Sequence, residues 1–97
     1  MESKEMILNR LKSLRDIDRV KVNVGKGKST IYIKFETEKS LDFKFIWQED
    51  HFIGYFLDST GTQSQAVISL WTRLDAVHFV TAYSLLIDLR SMRPSPL

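Results

Sequence analysis

Ala76-Val77-His78-Phe79-Val80-Thr81-Ala82-Tyr83-Ser84-Leu85-Leu86-Ile87-Asp88-Leu89 reads as a helix with almost no polar side. A surface helix in a small domain shows one apolar stripe and one charged face, and a helix apolar all round must be covered on both sides. The 97 residues of the chain offer little material to cover it twice, so a second chain becomes a candidate for one side. At steps of about 100° per residue, Val67, Leu70, Leu74, Val77, Leu85 and Leu89 share one stripe, with Trp71 and His78 at its edge. That periodicity assigns the stripe to the surface packed on the rest of the domain. Opposite it lie Ile68, Phe79, Tyr83, Leu86 and Ile87, joined by Val80. Gln65, Ser69 and Thr72 dilute this back before Arg73, whereas beyond Asp75 it is nearly bare of charge.

Upstream, Ser59-Thr60-Gly61 breaks the preceding pattern, and Thr62 with Gln65 three residues on has the form of a capping box. A helix from there to about Arg90 would be roughly 43 Å long. A domain of this length measures only about 32 Å across. The helix is therefore expected either to overhang its own domain or to break near Thr72-Arg73.

Before this region the apolar period is two. Val20, Val22 and Val24 share one face, with Arg19, Lys21 and Asn23 on the other. After the turn-forming Gly25-Lys26-Gly27-Lys28, Ile31, Ile33 and Phe35 alternate with Tyr32, Lys34 and Glu36. Thr37-Glu38-Lys39-Ser40 leads to Leu41, Phe43, Phe45 and Trp47, which alternate with Asp42, Lys44 and Ile46. Glu49-Asp50 turns the chain into His51–Asp58, apolar on both faces. Short turns between four successive strands predict an antiparallel meander with one face buried.

At the other end, Ser3 can cap a helix in which Ile7, Leu8, Leu11 and Leu14 recur at helical spacing, with Asp16-Ile17-Asp18 closing it. The expected fold is α+β in the order α-β-β-β-β-α: a four-stranded antiparallel meander with an N-terminal helix and a long C-terminal helix on one face. Residues 1–91 form a single domain, and 92–97, with Pro94 and Pro96, form a flexible tail.

Composition narrows the function classes. There is no cysteine, which excludes disulfides, thiolate metal sites and a thiol nucleophile. No apolar run approaches the ~20 residues of a membrane span, and the charged start is unlike a secretory leader, so the expected setting is cytoplasmic. The net charge of +2 is uneven. Residues 19–48 hold seven basic against three acidic side chains, a net of +4, whereas 49–97 hold three against five. No internal repeat or low-complexity tract is present.

Gly25-Lys26-Gly27-Lys28-Ser29-Thr30 superficially resembles the end of a phosphate-binding loop. The pattern needs a glycine where Val22 stands and a helix afterwards, so a hairpin turn is the better reading. His51 sits beside Glu49 and Asp50, and His78 is on the helix; neither belongs to a legible ligand set or catalytic constellation. No metal, cofactor or catalytic residue is therefore expected. The leading expectation is a small non-enzymatic interaction or regulatory module, forming a homodimer or docking on another protein through Phe79, Tyr83, Leu86 and Ile87. The alternative is a single-stranded nucleic-acid surface on the solvent side of the sheet, made by Arg19, Lys21, Tyr32, Lys34 and Lys44, with Ile46 and Tyr55 nearby.

Overall fold

Ser3 opens the first helix as its position predicts, its hydroxyl accepting the Met6 amide at 3.3 Å. A computed structural model describes residues 3–91 of the chain; the expected tail at 92–97 lies outside them. Helix α1 (Lys4–Lys12) is followed by strands β1 (Val20–Val24), β2 (Thr30–Phe35), β3 (Phe43–Gln48), β4 (His51–Leu57) and β5 (Gln63–Leu70), then helix α2 (Arg73–Ser91). The strands form one antiparallel sheet in chain order, β1-β2-β3-β4-β5. The fold is thus α+β, with five strands where the sequence pattern suggests four.

Both helices lie on one face. Ile7, Leu8, Leu11 and Leu14 from the α1 side meet Val20, Ile31, Ile33, Phe35, Phe43, Phe45 and Phe52 from the sheet, all buried. These strand residues are the inward set of the period-two alternation, so the meander is positioned as its pattern requires. The Gly25–Thr30 segment is a hairpin turn, with the Gly25 amide donating to the Thr30 carbonyl at 2.8 Å and Gly27 at φ 77. Lys4 Nζ reaches the Gly27 carbonyl at 3.2 Å and Lys28 pairs with Glu5 at 3.3 Å, which ties the start of α1 to this turn.

The main correction concerns residues 62–72. Thr62 and Gln65 do not cap a helix. Thr60 and Thr62 instead donate to the Asp58 carboxylate, which their hydrogen bonds hold below its ordinary pKa, and this closes the β4–β5 turn. The chain then runs as β5 beside β4, with bulges where Gly54 faces Ile68 but Tyr55 faces Ala66, and again before Leu57. The break does fall near Thr72, where a capping box lies one step further along. The Thr72 hydroxyl accepts the Asp75 amide at 3.1 Å, and the Asp75 carboxylate accepts the amides of Thr72 at 3.1 Å and Trp71 at 2.8 Å.

The phase of α2 is also reversed. Ala76, Phe79, Tyr83 and Ile87 face the sheet and are buried, while Leu74, Leu85 and Leu89 are 59%, 58% and 67% exposed. The expected stripe borrowed its phase from Val67 and Leu70, which belong to a strand. Aromatic packing decides the true phase: Phe79 meets Phe43 and Phe45 edge-on, with ring centroids 5.3 and 5.0 Å apart. The far end of α2 is fastened to the β2–β3 connection, where Arg90 pairs with Glu38 at 3.4 Å.

Candidate functional surfaces

The structure sends the expected helix anchors inward. Phe79, Tyr83 and Ile87 are core residues of this chain, and Leu86 is partly buried against the same core. Besides Arg73, Arg90 and Ser91 at its ends, the exposed residues of α2 are Leu74, His78, Thr81, Ala82, Leu85, Asp88 and Leu89. On the helical wheel these positions fall on one continuous face. Asp88 is its only acid and it carries no Lys or Arg. The outward face thus carries three exposed leucines among His78, Thr81, Ala82 and Asp88, while the residues expected to face outward form the buried side.

The second surface is the sheet face away from the helices. Registers across β1 to β4 place Lys21 opposite Lys34, Tyr32 opposite Lys44, and Lys44 opposite Tyr55. One row further on, Thr30, Ile46 and Ile53 line up. Four of the five expected basic-face residues, Lys21, Tyr32, Lys34 and Lys44, are thus brought together. Arg19 is not: its backbone is left-handed at φ 68, outside the strand alternation, and its side chain borders grooves with Ile87, Asp88 and Arg90 at the end of α2. Its guanidinium lies 3.8 Å from Asp18.

Electrostatically, the acids near this face are engaged. Glu36 pairs with Lys21 at 3.1 Å, and the Asp42 carboxylate accepts the Phe35 amide at 3.0 Å. The ammonium groups of Lys44 and Lys34 stand 5.3 and 5.8 Å from the centroid of the Tyr32 ring. At one end of the face His51 stacks on Trp71, centroids 3.8 Å apart and planes within 11°, while Asp50 holds His51 Nδ1 at 3.0 Å. An open groove of about 340 Å³ occupies another end, bordered by Lys21, Lys34, Lys39, Asp42 and Thr60.

Sequence reasoning missed Trp71 as part of this face, because it assigned Trp71 to a helix. Once Leu70 is known to point inward from β5, simple alternation turns Trp71 outward. His51 and His78 lie on opposite sides of the sheet, and among the described residues no cluster of three or more His, Asp or Glu is placed to hold a metal. No helix among the described residues is long and apolar enough to cross a membrane. Comparison with protein-family models, curated proteins and solved structures yields no match to this chain.

Proposed function

We propose that this chain is a small, non-enzymatic protein-interaction module that acts as a homodimer, two copies packing through the outward face of α2. The observation that carries the reading is the exposure of Leu74, Leu85 and Leu89, more than half exposed on one line of a helix whose other side is already filled. Contiguous exposed apolar surface of this kind marks an interface.

The residue pattern favours a second copy over an unrelated partner. In a two-fold contact residue i of one chain meets j of the other, and j meets i. Along α2 the outward residues mirror about the midpoint between Thr81 and Ala82: Leu74 is matched with Leu89, and His78 with Leu85. Two antiparallel copies would place leucines at both ends and the small Thr81 and Ala82 at the crossing, where short side chains permit close approach. Leu85 is the residue to test, since its exposure means that a charge there need not disturb the monomer. Light scattering at about 100 µM chain should give twice the 11.3 kDa chain mass for the wild type and the single mass for Leu85→Arg, with unchanged circular dichroism. A wild type of monomer mass, or a Leu85→Arg variant still of dimer mass, would overturn the reading.

A further inference from the structure

We propose that the helix-free face of the sheet binds single-stranded polynucleotide, with bases on Tyr32, Tyr55 and Trp71 and phosphates on Lys34 and Lys44. The site lies across the sheet from the α2 surface and does not depend on dimer formation.

The geometry supplies both elements that such a ligand needs. Tyr32, Lys44 and Tyr55 occupy facing positions on three adjacent strands. With strands about 4.8 Å apart, the two rings stand roughly 10 Å from one another with an ammonium between them. Further along β4, His51 is four residues from Tyr55, about 14 Å at strand rise, and there it backs the Trp71 ring, which is 49% exposed. The face thus presents separated flat rings, with Lys44 between the two tyrosines, Lys34 beside Tyr32, and Ile46 and Ile53 as an apolar floor toward Trp71. Single strands are held by such a combination, because unpaired bases expose their faces for stacking while the backbone follows the charge.

Charge selects the occupant further. Glu36 and Asp42 are committed to Lys21 and to the Phe35 amide, whereas Lys34 and Lys44 have no carboxylate partner among the described residues and rest over Tyr32. An ammonium held only over a ring is available to a phosphate. A duplex suits the surface poorly: its bases are stacked on one another, and a broad sheet face cannot enter a groove as a helix or two-stranded ribbon does.

The test uses the full chain with fluorescein-labelled fifteen-mers of deoxythymidine and of uridine, a duplex of the same length, anionic phospholipid vesicles and polyglutamate. Both single strands should raise anisotropy saturably and quench tryptophan emission. Two phosphate contacts give a single-strand salt slope near −1.4, so affinity should fall roughly sevenfold between about 50 and 200 mM salt. Tyr32→Ala and Tyr55→Ala should each weaken binding about tenfold, and Tyr32→Phe should leave it intact, since the stacking ring is retained. Leu85→Arg should bind like the wild type per chain, which separates this site from the dimer surface. Saturable binding of either strand supports the proposal, and a preference between them reports the 2′-hydroxyl and the thymine methyl together. Flat titrations with both strands, equal binding to duplex, polyglutamate or vesicles, or a folded Tyr32→Ala variant of unchanged affinity would overturn it.

Discussion

The Tyr83 hydroxyl donates to the Leu41 carbonyl across 2.8 Å, joining α2 to the β2–β3 connection over forty-two residues of chain. The ring is enclosed by Phe43, 5.9 Å away and edge-on, and by Phe79 at 5.7 Å. Tyr83→Phe keeps these contacts and removes only the donor, so it should cost about 1 kcal/mol and lower the melting temperature by roughly 5 °C. Urea unfolding should show an earlier midpoint with an unchanged slope. Burial, and then the Asp42 charge, push the hydroxyl pKa upward from its ordinary 10.0. The folded state thus holds this proton more tightly than the unfolded chain. The associated stability is complete below pH 10.0 and is lost as pH rises above it toward the raised folded value. The wild type should therefore lose its advantage over Tyr83→Phe progressively in alkaline melts.

Gly54 sits where no larger residue fits. A Cβ there would lie 2.6 Å from Phe45 Cε1 and 2.7 Å from Ile68 Cγ2. Gly54→Ala should destabilise the fold by about 1–3 kcal/mol through overpacking. Combining it with Ile68→Ala should cost less than the two changes summed, a coupling readable by a double-mutant cycle in urea.

The orientation of α2 makes a paired forecast. Ile87 is 3% exposed and Leu85 58%. Ile87→Ala should cost about 2–4 kcal/mol, while Leu85→Ala should stay within about 0.5 kcal/mol in dilute solution where chains are separate. Thermal melts at low concentration decide it, and the sequence-derived phase predicts the reverse ranking.

Thr72 and Asp75 close the start of α2 reciprocally. Thr72→Ala removes the acceptor for the Asp75 amide and should cost about 1 kcal/mol, whereas Thr72→Ser should be nearly neutral. Thr62→Ala, at the other threonine with the same motif spacing, should leave the helical circular dichroism signal unchanged.

Much of this was legible because inward and outward residues alternate cleanly in β1 to β3: Ile31, Ile33, Phe43 and Phe45 fall inside as read, and Tyr32, Lys34 and Lys44 outside. The region from Ala66 to Leu70 was not, since Ala66-Val67-Ile68 in succession satisfies a period of two and of 3.6 alike. A clue lay in charge: no Asp, Glu, Lys or Arg occurs from 59 to 72, unusual for a helix expected to run partly along solvent. That misreading carried the α2 phase with it, and with it the choice of Phe79, Tyr83 and Ile87 over Leu74, Leu85 and Leu89 as surface residues. Arg19 escaped for a different reason, as nothing in the sequence marks its left-handed backbone.

A meander in strict chain order has a kinetic corollary. Every strand pairs with the one made just before it, so each hairpin needs only a short loop closure and the sheet can grow as the chain leaves the ribosome. The contacts of α2 with α1 and with the aromatic rings of β3 are the distant ones and come last. Until the final helix emerges, Phe43 and Phe45 lack the Phe79 side of their cover, which leaves the half-synthesised chain with exposed apolar surface that favours aggregation.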